Sequence, residues 1–399
     1  MRTILITGPG GAGRTTVAAA TALEAARRGT RTLVLSADRT DTLGAALGTA
    51  TAGTPAGAAP LLTAWRPDAA EGFRTDLLAL QEQAAGALDL LGSARLDAEE
   101  LTPLPGAGEL ALLRALRDAS AADAFDLLVV DLPPAPEALA LLALPEQLRR
   151  YLRRLLPAER QAARALRPVL GRLAGVPMPT ERLYETAARW DAELAAVQRA
   201  VETPATTVRL VAEPGPAGAD AVRSAGTGLA LRGLRTDALI ANRVLPDVSP
   251  DTWLAGLAAQ QRKTLDEWHD EWLTGRGPAY GVHEVPHLGR DPRGAGDLAA
   301  LPVPVPAADD APGPVVWPVT DRLADDGVLV WHIPLPGALR EELDLVRRGD
   351  ELVVSAGPFR RIVALPSALR RCAVDGASLR EGELRVRFAP DADLWPRTR

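Results

Sequence analysis

The chain of 399 residues has one cysteine, Cys372, and one lysine, Lys263. A single cysteine excludes an internal disulfide and a thiolate zinc cluster within one chain. With so little lysine, nearly all the positive charge is arginine. The net charge of -6 argues against bulk nucleic-acid binding. No run approaches the ~18 apolar residues of a membrane-spanning helix, so no transmembrane segment is expected. The N-terminus opens directly into an apolar strand with no signal peptide, which makes the cytoplasm the expected location. The histidines (His269, His283, His287, His332) show no metal-ligand spacing to Cys372 or to an acid cluster. What remains is 47% hydrophobic and 24% charged, the balance of a soluble globular protein. The length suits two domains, or one large domain with an appendage.

The stretch from Ile4 to Asp38 organises the rest. Apolar Ile4, Leu5 and Ile6 run into a glycine-rich turn, a helix-forming run follows from Thr15, and a second apolar strand, Thr32 to Leu35, ends near the acid Asp38. The turn, Gly8-Pro9-Gly10-Gly11-Ala12-Gly13-Arg14-Thr15, has the spacing of a phosphate-binding loop, with Arg14 where lysine is usual. Such glycines turn backbone N–H groups onto an anion, and the following helix N-terminus adds partial positive charge. The candidate phosphate-binding set is therefore Gly8, Gly10, Gly11, Ala12, Gly13, Arg14, Thr15 and Thr16. Gly8, Gly10 and Gly13 equally spell the G-x-G-x-x-G of a dinucleotide-binding unit, with Asp38 placed to hold a ribose. The loop alone leaves both readings open.

Further along, residues 40 to 60 are rich in Gly, Ala, Thr and Pro and read as a loop. Helical spacing recurs from Ala69 to Leu91, from Glu109 to Ala119, from Leu144 to Gly175 and from Glu181 to Val201. In the third of these, Arg149, Arg150, Arg153 and Arg154 alternate with leucines and read as a solvated face. Phe125 to Asp131 is a strand whose apolar run, Leu127 to Val130, ends in an acid, as buried parallel strands do; in a nucleotide-binding sheet such an acid commonly orders Mg2+ through water. Thr207–Ala212 and Ala238–Asn242 bracket another helical segment. Trp253 to Trp272 is a polar helix whose aromatic stripe reads as core. Leu301 to Pro318 is proline-rich, and beyond it the apolar period changes from helical to alternating, over Val328–Ile333, Glu351–Val354, Arg360–Leu365 and Glu383–Phe388.

These segments resemble the ArsA family, the arsenical-pump ATPases together with the ATPases that deliver tail-anchored membrane proteins. Its deviant phosphate loop matches Gly8 to Thr15, its first switch matches Ser36-Ala37-Asp38, and its P-G-x-x-E-L element matches Pro105 to Leu110. Its second switch falls on Asp131 to Leu142, its L-P-E-x-L segment on Leu144 to Leu152, and its N-R-V-L-P element on Asn242 to Pro246. The tail is similar to the α-crystallin domain of small heat-shock proteins, through Leu335-Pro336-Gly337, Gly349 to Leu352, Arg360 to Pro366, Gly376-Ala377 and Leu384 to Val386. A short-chain reductase would need a Tyr-x-x-x-Lys pair, but Ala259 stands four residues before Lys263.

The resemblance implies an α/β P-loop NTPase fold, a mainly parallel sheet flanked by helices, over residues 1–308. A Pro-rich linker at 309–325 and an all-β sandwich at 326–392 would follow. It implies ATP with Mg2+, Thr15 and Asp131 at the metal, Asp38 as the water-orienting acid and Asn242 at adenine. Pro9 replaces the family's lysine that reaches across a dimer, Arg14 replaces the loop lysine, and Ala135-Pro136-Glu137 replace switch residues, with a negative charge expected where the γ-phosphate sensor belongs. The expectation is thus an ATP-binding protein with weak or lost hydrolysis that acts as a chaperone-like or scaffolding factor. The alternatives are an active ATPase that targets client proteins and an interaction module that binds no nucleotide. The resemblance implies a homodimer and a hydrophobic client as partners; without a Cys-x-x-Cys the dimer is expected to form without zinc, and with methionine only at Met1 and Met178 the family's methionine-rich client groove is not expected.

Overall fold

The computed structural model describes residues 1–38, 40–83, 85, 96–156, 181–246, 251–273, 281–305, 315–391 and 395. The far end of the helix expected to reach Leu91 and the stretch from Pro157 to Gly175 lie outside them. The larger part is an α/β sheet built on β1 (Arg2–Thr7), α1 (Arg14–Arg27) and β2 (Thr32–Ser36). Then come α2 (Thr42–Leu47), β3 (Ala56–Ala59), β4 (Leu62–Trp65), α3 (Ala69–Gln83), α4 (Ala107–Ala121) and β5 (Leu127–Asp131). After them run α5 (Ala135–Leu155), α6 (Glu181–Glu202), β6 (Thr206–Ala212), α7 (Pro216–Arg232), β7 (Thr236–Val244), α8 (Thr252–Leu273), β8 (Gly281–Pro286) and α9 (Gly294–Ala299).

The strand order is β3-β4-β2-β5-β1-β6-β7-β8, parallel throughout except for β3 at the edge. Alternation along β1 explains why both faces are covered. Ile4 and Ile6 pack with Val17, Ala18 and Val34 on the α1 face, whereas Leu5 packs with Leu112, Leu116 and Leu139 on the other. A strand apolar on both sides can be buried only between two helical layers. The ends of β1, β2 and β5 converge where the strand order switches, and in open α/β sheets that crevice is where ligands bind.

Residues 40 to 60 are not simply a loop. Asp41 caps α2 by accepting from the Gly44 amide, and β3 pairs antiparallel with β4. Weak apolar periodicity in an Ala/Gly/Thr-rich stretch hid both elements. The helix expected from Leu144 starts earlier, at Ala135, and carries Pro145 in its interior. Its arginines are not merely solvated: Arg149 pairs with Asp191 at 3.0 Å, and Arg150 reaches Glu351. In α8 the aromatic stripe is split. Trp268 is buried, but Trp253 is exposed.

The tail forms two antiparallel sheets. One has the order β14-β15-β10-β9, from β9 (Val319–Arg322), β10 (Val328–Pro334), β14 (Cys372–Arg380) and β15 (Glu383–Pro390). The other is β11 (Leu343–Arg348), β12 (Glu351–Ala356) and β13 (Phe359–Ala364). Their inner faces close on Trp331, Ile333, Leu352, Val354, Val386 and Phe388. β9 falls inside the span read as linker, so part of that span is strand. β11 and β14 alternate too weakly to stand out in the sequence.

This sandwich docks directly on the first domain. Arg150 of α5 makes a two-pronged pair with Glu351, both contacts at 2.7 Å. Glu146, one turn earlier on α5, lies 3.5 Å from both Arg232 of α7 and Arg361 of β13. Thr227 donates to the Pro336 carbonyl at 2.6 Å, and Leu231 of α7 belongs to the core of the sandwich.

Candidate nucleotide and metal site

The loop from Gly8 to Gly13 turns at the end of β1, and three features fix its path. A Cβ at Gly8 would collide with the Val211 carbonyl oxygen, so only glycine lets β6 approach this closely. Gly13 caps α1 at φ +87, a left-handed conformation that glycine tolerates, and a Cβ there would strike the Asn242 amide. At the exposed tip, Gly10 and Gly11 have nothing within 4 Å of where a Cβ would stand, so the backbone is open to an approaching anion.

On one flank lies a cavity of about 310 Å³ lined by Gly13, Thr16, Asn242, Arg243, His287 and Arg293, among others. Asn242, at the end of β7, is buried and donates from Nδ2 to the Ala12 carbonyl at 2.8 Å. Arg243 takes φ +59 at a register shift between β7 and β8, and its Nη1 donates to the Gly11 carbonyl at 3.0 Å. The sequence reading singled out Asn242 for the base. The structure adds that it braces the loop, and that Arg243 does so beside it. The signal for Arg243 was the N-R-V-L-P element itself.

On the other flank lies a cavity of about 560 Å³ lined by Arg14, Thr15, Ser36, Asp38, Arg66, Glu109, Asp131 and Pro133, among others. Asp131, at the end of β5, is its centre. Its Oδ2 accepts from the hydroxyls of Thr15 at 2.8 Å and Ser36 at 2.9 Å. Its Oδ1 is buried and meets no donor among the described residues. Burial raises the Asp131 pKa to about 6; the Thr15 and Ser36 hydroxyls and the charge of Arg14 pull it down, and Asp38 pushes it up. A buried carboxylate oxygen without a donor, beside a threonine hydroxyl, is the donor set a hard cation such as Mg2+ would take, directly or through water. Thr15 and Asp131 therefore fit the metal role expected of them. Ser36 joins them; its neighbour Asp38 had drawn the sequence reading instead.

The segment after Asp131 is strapped to the loop. Thr7 Oγ1 donates to the Pro133 carbonyl at 2.7 Å, and the Ala135 amide to the Gly8 carbonyl at 3.0 Å. Arg14, the first residue of α1, turns its guanidinium onto the Leu132 carbonyl. Asp38 lines the cavity, but its carboxylate accepts from the Thr40 amide and hydroxyl, each at 3.1 Å, and from the Thr42 hydroxyl at 2.7 Å. Glu137 departs from expectation. It is exposed on the first turn of α5, among the buried Ala135, Ala138 and Leu139, and lines neither cavity. The helical register turns it away from the site, and its charge complements the helix N-terminus instead. No helix among the described residues is long and apolar enough to cross a membrane.

The chain matches the family model for anion-transporting ATPases over residues 1–299, and the model for the HSP20-like domain found in ArsA over residues 326–388. It is 74% identical to the Streptomyces coelicolor protein SCO2128, over the full length of both chains. It is 34% identical to the Mycobacterium tuberculosis protein Rv2184c, covering 99% of this chain and 97% of that one. An Aquifex aeolicus relative named as an arsenical pump-driving ATPase is 26% identical, over 97% of this chain and 99% of that one. Phosphate loop, buried acid, parallel sheet and appended β-sandwich all agree with these matches, and the chain belongs to the ArsA family of anion-transporting ATPases.

Proposed function

We propose that this protein binds ATP with Mg2+, hydrolyses it weakly or not at all, and acts as a nucleotide-responsive chaperone-like or scaffolding factor. The observation that carries the binding half is Asp131: buried, held by Thr15 and Ser36, and left with one oxygen for a cation. Gly10 and Gly11 offer the phosphates an open backbone, and Asn242 and Arg243 border the cavity that suits the base. Bound Mg2+ would neutralise charge between the terminal phosphates. Around it the chain's own residues orient: the loop amides cradle, Thr15 and Asp131 anchor, and Arg14 adds positive charge from the start of α1.

Weak hydrolysis is supported by what surrounds the phosphates. Pro9 has neither an amine nor a backbone N–H to offer a partner's nucleotide. Asp38 has its carboxylate held by Thr40 and Thr42, which orients it toward its own loop and leaves little of its acceptor capacity for a water. Loss of a charge clamp at a phosphoryl-transfer site typically costs on the order of 10^3-fold in rate. The chaperone-like half rests on the HSP20-like domain and its seat on α5 and α7. With it go a homodimer formed without zinc, a hydrophobic client and a cytoplasmic location. Titration of the purified protein with a fluorescent ATP analogue, with and without Mg2+, tests the reading. Saturable binding that strengthens with Mg2+ is expected; no binding under either condition would leave only an interaction module.

A further inference from the structure

The larger cavity contains a cation that the reading so far leaves unused. Arg66 follows the last residue of β4, and its backbone amide is fixed to the Ala52 carbonyl at 3.1 Å. The residue is therefore anchored while its long side chain lines the same cavity as Arg14, Thr15, Asp38 and Asp131. Its nearest acid is Asp41, with Nε 3.9 Å from Oδ1, beyond hydrogen-bond reach. Asp41 has its oxygens occupied elsewhere, by the amides of Gly44 and Thr51 and by the Thr51 hydroxyl. Nε of Arg66 is buried and has no hydrogen-bond partner among the described residues. A guanidinium presents its donors in a planar fork suited to two phosphate oxygens at once.

We propose that Arg66 reads the terminal phosphate of a bound triphosphate from within the same subunit, and so makes this site favour ATP over ADP. This rests on the nucleotide-binding reading above. Arg14 spends part of its fork on the Leu132 carbonyl, which leaves it fewer donors for the same phosphate. Pro9 cannot fill the role from a partner subunit. Arg66 enters this cavity from the end of β4, on the flank away from the cavity assigned to the base, where the last phosphate of the chain would lie. A donor contact of this kind, one to a charged group, corresponds to about tenfold or more in affinity. The competing account is that Arg66 merely balances the charge of Asp41.

The test uses the full chain as wild type, Arg66→Ala and Arg66→Lys, with melting curves to confirm folding. Each is titrated calorimetrically with ATP, ADP, inorganic tripolyphosphate and pyrophosphate, all with Mg2+. The expected result is a loss of about tenfold for ATP and tripolyphosphate in Arg66→Ala, with ADP and pyrophosphate changed less than about twofold. Arg66→Lys, a charge without the fork, should fall between. Equal losses for the long and short ligands, or none, would overturn the proposal and leave Arg66 as the neighbour of Asp41. If Arg66-dependent tripolyphosphate binding persists but ATP binds no better than tripolyphosphate, the base-binding half of the nucleotide reading fails and the role of Arg66 stands. A wild type that binds none of the four overturns both.

Discussion

On the base flank of the phosphate loop, Asn242 and Arg243 both donate to loop carbonyls, so the loop is braced before any ligand arrives. On the other flank, Asp131 keeps a buried oxygen and Arg66 a buried nitrogen without a hydrogen-bond partner among the described residues, Asp41 lying 3.9 Å from the latter. The first flank is internally hydrogen-bonded; the second leaves one acidic and one basic atom without such a bond, which is what the proposed binding of Mg2+ and a phosphate chain would use. Unpaired buried polar groups cost stability, so the proposed reading expects a ligand carrying both charges to stabilise this flank more than the other. Of the residues that differ from the family pattern, Arg14 stands in the loop itself, whereas Glu137 lines neither cavity.

The largest effect should come from damage to what both flanks share. Gly8→Ala forces a Cβ into the Val211 carbonyl, and we expect a loss of about 3 kcal/mol or more in a denaturant melt, or no soluble protein. Both flanks should then fail together.

Next comes Asp131→Asn, which separates the flanks through pH. The folded pKa of about 6 lies above the unfolded value near 3.8. The folded state therefore favours the neutral acid: Asp131 imposes no penalty below pH 4, and a growing one as pH rises through 6. At full ionisation the penalty is on the order of 3 kcal/mol. Without ligand, Asp131→Asn should melt higher than wild type at pH 7.5 and lose that advantage near pH 4. It should also abolish the Mg2+ dependence of ATP binding, which in the wild type should strengthen as pH rises through about 6. A variant less stable than wild type at pH 7.5 would mean that the carboxylate is better satisfied than its geometry indicates.

Asn242→Ala acts on the other flank. Removing the 2.8 Å bond to Ala12 should cost about 1–2 kcal/mol of stability and weaken ATP binding more than tripolyphosphate binding. Equal weakening of both would make Asn242 a brace for the loop alone. The smallest effect belongs to Glu137→Gln, which lies outside both flanks. An exposed acid on a helix first turn should matter by less than about 0.5 kcal/mol, with ATP binding unchanged.

Much of this architecture was readable in advance. β1, β2 and β5 carry apolar runs buried on both faces, which a parallel sheet between helices suits best, while β6 and β7 add the buried Arg209–Asp237 pair to the same pattern. The glycines at Gly8 and Gly13 stand where only a bare backbone fits, which is why spacing alone found the loop. What escaped the sequence was set by contacts distant along the chain. Arg66 sits among ordinary loop residues, and only the fold of β4 beside β2 carries it to the cavity that Asp131 also lines. Arg14 reads as a plain stand-in for lysine until its guanidinium is seen on the Leu132 carbonyl. Arg150 reads as solvated until Glu351, about 200 residues away, closes on it. Glu137 shows the opposite error: a motif position implied a place in the site, and the turn of the helix denied it.

The central claim is that binding survives here while hydrolysis does not. Steady-state phosphate release at saturating ATP and Mg2+ tests it most directly, run on the wild type, Arg14→Lys, and the double change Pro9→Lys, Arg14→Lys, beside Asp131→Asn as the blank. We predict saturable ATP binding by the wild type, with phosphate release no faster than the blank, and no recovery in Arg14→Lys. Release well above the blank in the wild type, or full activity from Arg14→Lys alone, would contradict the account and make this a working ATPase with an arginine in its loop.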